Sequence, residues 1–391
     1  MKNKPKNKNV IYLGLLSLFG GISLDLVAPI IPTFITTVLG FDKTFLGLTE
    51  GLATSSSSLF KIVSGILTDK YKKRKPIIFV GYLLSMLSRI FLAFVSATPL
   101  IVLMRTLDGT GRGIKDAPKD TLIADSSGAN ERGKQFGIVR ALDTLGSVAG
   151  PIMLFGLLAV LTNNTNKFHL IFLVSALPLV ITLLLIVFKI KETGKEVQAS
   201  IQTSGPLPAK FYLFMVLLAV FGLGNASEAF LLLKAQDTGV SILALPLVYA
   251  LLNFVYALAA IPLGSLSDRI GRKKILMLGW AIFSFSYLGF AFVQNSLLLL
   301  LLFVLYGIYY AATFGVIKAL ISDLVAVNQR GRAYGIYNAL LSVIALPAGL
   351  IAGGLWDRFG STYTFGFGAV MCLITLILFA LFSFRPVGKV A

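Results

Sequence analysis

The stretch Arg105–Asp125, RTLDGTGRGIKDAPKDTLIAD, decides how this chain is read. It lies inside a long apolar segment that begins near Ala97. Arg105, Asp108, Arg112, Asp116 and Lys119 alternate in sign and are spaced by three, four, four and three residues. At about 100° per residue they fall on one helical stripe, roughly 60–80° wide. A charged stripe on a membrane helix must face protein or water rather than lipid. The stripe therefore predicts a spanning helix that lines a polar path.

Composition agrees with a membrane protein. Hydrophobic residues make up 56% of the chain and charged residues only 13%, with a mean hydropathy of +0.86. Soluble domains carry about 25% charged residues. The net charge of +18 lies in short clusters between apolar runs. That leaves no basic face or recognition module for nucleic acid. Cys372 is the single cysteine and sits in an apolar run, so no disulfide framework or thiolate metal site is expected. The first apolar run is longer than a signal-peptide core, lacks an A-x-A-like site and is followed by many others. No cleavable signal is expected.

A spanning helix needs about 20 apolar residues. Twelve segments qualify, roughly 10–38, 45–68, 77–96, 98–125, 134–158, 168–189, 211–234, 243–266, 274–294, 297–323, 333–355 and 363–384. The predicted fold class is an all-α polytopic membrane protein with twelve transmembrane helices. With the N-terminus inside, 23 Lys and Arg residues fall in inner loops and three in outer loops. That asymmetry places both termini in the cytoplasm of a multi-pass protein of the inner (cytoplasmic) membrane. The polar stretch 191–210 reads as a cytoplasmic linker between a bundle over 1–190 and a bundle over 211–391.

The two bundles repeat. GILTDKYKKRKPI (65–77) lies over GSLSDRIGRKKIL (264–276) at a shift of 199, and LIADSSGANERGKQFGI (122–138) over LISDLVAVNQRGRAYGI (320–336) at 198. At a shift of 200, Asp25 falls on Asn225. The physical reading is two pseudo-symmetric six-helix bundles related by an axis along the membrane normal, with a site between them. Gly65 would allow close helix packing, and Asp69 can pair with Arg74 and its basic neighbours as a latch. Gly264, Asp268 and Arg272 repeat the arrangement.

These turns resemble the signature loop of the major facilitator superfamily. Arg105-x-x-x-Gly109-x-Gly111 is similar to that superfamily's second motif. Gly146-x-x-x-Gly150-Pro151 looks like the motif of its bacterial drug/proton antiporter branch. Lys72 departs from the first loop motif, where Gly is usual, whereas the second copy keeps Gly271. The resemblance covers essentially the whole chain. It implies a secondary transporter working by alternating access, in which Gly146, Gly150 and Pro151 belong to the gating machinery.

The embedded charges define candidate roles. Asp25 lies near mid-membrane and is followed by Pro29 and Pro32, which free backbone carbonyls. A desolvated carboxylate can cycle a proton. Asp25 leads the proton-coupling candidates, followed by Glu228, Glu50 and Asp143; a structural pair of Asp25 with an arginine of the fourth span is the competing reading. The substrate-cavity candidates are Arg105, Asp108, Lys61, Arg140, Asn225, Asn253, Tyr306, Tyr310 and Lys318. Arg112, Asp116 and Asp125 fit an inner gate. Gly109, Gly111 and Gly113 lack the preceding strand of a phosphate loop and read as a helix bend, with Pro118. No metal-ligand cluster and no nucleophile–base pair supports an enzyme. The expected function is proton-coupled efflux of a small molecule by a monomer in the lipid bilayer, driven by an ion gradient, with no cofactor. Proton-coupled uptake of a metabolite and a non-transporting receptor are the alternatives.

Overall fold

The computed structural model describes residues 8–71, 73–95, 97–127, 131–164, 166–192 and 205–382. All regular structure among the described residues is helical. The first span is α1 (Lys8–Val27), a short α2 (Ile31–Thr33) and a π-helical turn (Phe34–Val38). Then come α3 (Lys43–Tyr71), α4 (Lys75–Leu92), α5 (Thr98–Asp125), α6 (Arg132–Val160) and α7 (Lys167–Phe188). The seventh span is divided into α8 (Ala209–Gly224) and α9 (Glu228–Asp237). The last five are α10 (Leu245–Ile270), α11 (Arg272–Phe292), α12 (Ser296–Leu324), α13 (Arg330–Phe359) and α14 (Ser361–Leu381). All twelve predicted spans are present, with ends within about a turn of the prediction. Ten are long and apolar enough to cross a membrane. The other two, α3 and α5, are 29 and 28 residues long but carry the embedded charges.

Helix ends follow local chemistry. Gly271 (φ 101°) separates α10 from α11, and Gly360 (φ 90°) separates α13 from α14. A side chain at either would be strained. Asn295 caps α12 by accepting from Leu297 N and Leu298 N, at 2.8 and 3.3 Å. Glu192 accepts from Arg74 N and Lys75 N, both at 2.9 Å, and so places a carboxylate at the α4 N-terminus. The linker residues 193–204, the N-terminal lysines before Lys8 and the Asp69 side chain lie outside the described residues.

Contacts divide the chain into two compact units: Met1–Phe34 with Leu52–Glu196, and Ile35–Gly51 with Val197–Ala391. In the first unit, α1 packs on α6 and α7, and α4 packs on α5 and α7. In the second, α8 packs on α13 and α14, and α11 on α12 and α14. These are the same pairings, span for span, so the sequence repeat is also a repeat of packing. The second unit includes the first turns of α3. There a Cβ at Gly47 would stand 1.9 Å from Gly349 O, and one at Gly353 would stand 2.2 Å from Lys43 O. Asp357 caps the same turn, accepting from Lys43 N (3.1 Å) and Thr44 N (2.7 Å).

The glycines of the opening stretch have a different role from the bend expected of them. A Cβ at Gly109 would lie 2.0 Å from Ala53 O, one at Gly113 2.2 Å from Ser57 O, and one at Gly111 2.5 Å from Gly81 O. Two faces of α5 thus press backbone to backbone, against α3 and α4. Gly146 and Gly150 do the same for α6, where a Cβ would meet Leu18 O at 2.4 Å and Ile22 O at 2.8 Å on α1. Gly65 needs no such closeness: a Cβ there would meet only Ala117 Cβ, at 3.9 Å, and one at Gly264 would meet nothing within 4 Å.

Candidate functional site

The charges of the first unit form three layers. The deepest surrounds Asp108, which is fully enclosed. Arg89 Nη2 of α4 lies 3.1 Å from Asp108 Oδ1, and Arg105 Nη1 and Arg112 Nε lie 3.5 and 3.6 Å from Oδ2. Asp25, also buried, is within electrostatic reach of Arg89. Two carboxylates thus face three guanidiniums. Arg105 and Asp108 are held inside this cluster rather than opened to a cavity. Sequence reasoning missed Arg89. A lone arginine in the apolar run 77–96 was the available signal, since an embedded ion needs a partner.

The second layer is open. Lys61 Nζ of α3 lies 3.5 Å from Asp116 Oδ2, and Lys115 Nζ lies 3.2 Å from Asp116 Oδ1. Lys115 also stands over the Tyr82 ring, 5.1 Å from its centroid. Lys119 Nζ donates to Ser17 Oγ of α1 at 3.0 Å. On α6, Arg140 Nη1 lies 3.0 Å from Asp143 Oδ2, as the i,i+3 spacing predicts. At about 1.5 Å per residue these groups lie roughly 9–17 Å along their helices from the ends marked by Lys8, Tyr71, Asp125 and Arg132. Helices α1, α3, α5 and α6 thus bring polar groups to one depth. Lys115 is the second residue missed, because it stands one position off the stripe that organised the reading.

The third layer is an ion pair at those helix ends. Arg74 Nη2 lies 2.8 Å from Asp125 Oδ2, and the second unit repeats it with Arg272 Nε 2.6 Å from Asp323 Oδ2. Both members of the pair are displaced by 198 residues. The sequence overlay at 199 set Arg74 against Lys273, so the register slips by one residue in the turn that holds Gly271. Arg272 also binds Asp268 at 2.7 Å. The two copies differ in burial: side-chain exposures are 4% and 10% for Arg74 and Asp125, but 25% and 31% for Arg272 and Asp323. Breaking a buried pair costs about 3–5 kcal/mol, whereas an exposed one is worth about 0–1 kcal/mol. We expect Asp125→Asn to lower the chemical-denaturation midpoint clearly more than Asp323→Asn does; equal shifts would refute the assignment.

In the second unit the break between α8 and α9 leaves Asn225–Ser227 outside regular helix. Tyr287 Oη donates to Ala226 O at 3.4 Å. Ser227 Oγ accepts from Ala229 N at 3.3 Å and donates to Glu50 Oε2 at 3.4 Å. Glu228, at the start of α9, is hydrogen-bonded to Tyr249 and lies within electrostatic reach of Glu50. Two carboxylates, Glu50 and Glu228, therefore lie near one another beside a helix break. Asn225 is half-buried at the break itself.

The aromatic stripe of α12 divides. Tyr306 and Tyr309 are buried against Phe283, at ring-centroid distances of 6.2 and 4.8 Å. Tyr310 is half-buried and meets Tyr256 edge-on at 5.2 Å and Phe314 face-on at 5.4 Å. Lys318 Nζ stands 4.4 Å above the Phe314 ring. Asn253 is half-buried on α10. Of the second unit's cavity candidates, Asn225, Asn253, Tyr310 and Lys318 keep accessible surface, whereas Tyr306 is part of the core.

The Major Facilitator Superfamily profile matches residues 13–221 and 211–390. An uncharacterized MFS-type transporter of Methanocaldococcus jannaschii is 34% identical over 382 residues, which cover 96% of this chain and 95% of that one. The multi-drug resistance efflux pump PmrA of Streptococcus pneumoniae is 26% identical over 403 residues, covering 99% and 98%. Among solved structures, the xylose transporter XylE from E. coli superposes with a TM-score of 0.78 at 15% identity, covering 98% of this chain and 99% of that one.

Proposed function

The chain belongs to the major facilitator superfamily of membrane transporters, and from that premise we propose that it exports a small organic solute by alternating access, coupled to inward proton flow. The observation that carries the proton coupling is the placement of acidic groups beside the two broken spans. Asp25 precedes the break between α1 and α2 and lies within reach of Arg89. Glu228 follows the break between α8 and α9 and has Glu50 and Tyr249 for neighbours. A carboxylate that can be neutralised by a guanidinium in one state and by a proton in another couples a charge change to a structural one.

Two observations support export. Over nearly its full length the chain is similar to a protein named as a multi-drug efflux pump. Gly146 and Gly150, which resemble the antiporter motif, seat α6 directly on α1, the helix that bears Asp25. The 23-to-3 distribution of Lys and Arg supports a cytoplasmic-membrane protein with both termini inside.

The test is flux in proteoliposomes that hold a pH-sensitive dye, using solutes chosen by growth of a deletion strain on toxic compounds and nutrients. An imposed pH gradient is expected to drive solute movement, with protons moving the opposite way. Accumulation indifferent to the gradient would refute the coupling. We expect Asp25→Asn to abolish gradient-driven accumulation while sparing solute exchange at equal pH. Unimpaired accumulation in that variant would remove Asp25 from the proton path.

A further inference from the structure

We infer that the open basic layer of the first unit binds the anionic headgroup of the transported solute, so that the solute is an amphiphilic organic anion carrying a carboxylate or a phosphate. The inference rests on the transporter reading above and names the chemistry of the solute.

Four observations carry it. First, lysines outnumber the carboxylate they surround: Lys61, Lys115 and Lys119 gather around Asp116, while Asp143 acts on both Arg140 and Lys115. Asp120, one residue beyond Lys119, is exposed. Second, the pairing is shared out thinly. Lys61 and Lys115 divide one carboxylate, Asp116, and the Asp143 that pairs with Arg140 also acts on Lys115. Lys119 has for its hydrogen-bond partner a neutral hydroxyl, Ser17 Oγ at 3.0 Å. Third, the layer is reachable: Lys61 and Asp116 side chains are each about one-third exposed. Exposed charge within a spanning helix must meet water or a polar ligand, because lipid cannot solvate it. Fourth, the deeper cluster adds no negative field to offset the excess. There Asp108 and Asp25 face three arginines, and Arg112 lies one turn beyond Lys115–Asp116 on the same helix.

A surplus of cations in a partly dry setting stabilises a ligand with complementary charge and geometry. Carboxylates and phosphates accept several charge-assisted hydrogen bonds at once. A cationic solute would displace nothing and would meet like charge, which disfavours it. Such a headgroup would sit between Lys61 on α3 and Lys119 on α5, with Asp116 left to hold Lys115.

The test uses four probes that share one apolar body: 1-naphthoate, 1-naphthyl phosphate, 1-naphthamide and 1-naphthylmethylammonium. Binding to the purified full-length protein is measured calorimetrically in detergent. The anionic probes are expected to bind at least ten-fold more tightly than the amide or the ammonium. Lys61→Gln and Lys119→Gln are each expected to weaken the anionic probes by about five- to ten-fold, and Lys119→Arg to restore binding. Because Lys119→Arg keeps the charge, it separates headgroup binding from folding. Stronger binding of the ammonium, no binding of either anion, or anion binding unchanged by both lysine variants overturns the proposal. A parallel arm with dioctanoyl phosphatidate assigns the source of the headgroup. Binding of that lipid in preference to the naphthyl anions supports the anion site and makes its ligand a lipid.

Flux distinguishes this proposal from the transporter reading. Gradient-driven movement of the ammonium but not the anions would keep proton-coupled transport and reject the anion. Lysine-dependent anion binding with no flux under any gradient would keep the site and reject coupled transport.

Discussion

Asp108→Asn is expected to be among the most damaging single substitutions in the chain. The carboxylate is fully enclosed, and three guanidiniums lie within 3.6 Å of its oxygens. Asparagine keeps the shape and removes the charge. Leaving buried ions without their partner costs about 3–5 kcal/mol. For a domain of 150–250 residues that corresponds to a fall of roughly 6–20 °C in unfolding midpoint. The measurement is thermal unfolding of purified protein in detergent. A second variant isolates the cause: Arg89→Gln placed on top of Asp108→Asn removes one of the stranded cations and is expected to recover part of the loss. An unchanged midpoint for Asp108→Asn, or a double variant worse than the sum of its parts, would show that the cluster is not held by charge.

Gly109→Val is expected to abolish folded protein. Its first side-chain carbon would lie 2.0 Å from Ala53 O and 2.4 Å from Ser56 Oγ. A serine hydroxyl can turn away, but a helix backbone cannot. Separating α5 from α3 would also disturb Gly113 against Ser57 and the hydrogen bond from Ser64 Oγ to Gly113 O at 3.2 Å. Spanning helices associate through close van der Waals contact, so a lost seam has no hydrophobic effect to replace it. The control is Gly65→Ala on the neighbouring α3, where the nearest atom is 3.9 Å away. Size-exclusion profiles of the two variants are expected to differ sharply, with Gly65→Ala matching the parent. A monodisperse Gly109→Val protein would refute the seam.

Much of this architecture was legible because the bilayer restricts what a chain can do. Any run of about 20 apolar residues must become a helix, since lipid satisfies no backbone groups. The duplicated turns were legible because Asp, Arg and Gly recur there at nearly one offset. The sign-alternating stripe was legible because charge is rare at that depth. What was not legible depended on neighbours far away in sequence. Arg89 belongs to Asp108 only because α4 lies along α5. The glycines of α5 read as a bend because a sequence shows missing side chains but not the helix that fills their place. Proline announced the break after α1, whereas the break before α9 had only Asn225 and Ser227 to announce it. Tyr306 and Tyr310 share a stripe, yet one is core and the other half-open, because the neighbours of α12 enclose only part of it.

The 198-residue offset that aligns the two ion pairs also sets Arg89 on Tyr287, Asp108 on Tyr306 and Arg112 on Tyr310. Where one half holds ions, the other holds stacked phenols, with Tyr287 and Tyr306 rings 6.2 Å apart. The two interiors cannot be interconverted one residue at a time in arbitrary order. Losing Asp108 first would strand three arginines beside Asp25. Losing arginines first leaves the carboxylate neutralised until the last step. Stepwise exchange of one interior for the other therefore has a direction set by electrostatics. In such an exchange the cations must leave first and the acid last, because a lone carboxyl can be neutralised by a proton and a lone guanidinium cannot. Grafted chimeras of the two halves inherit the same rule: they must carry the whole charged set or none of it.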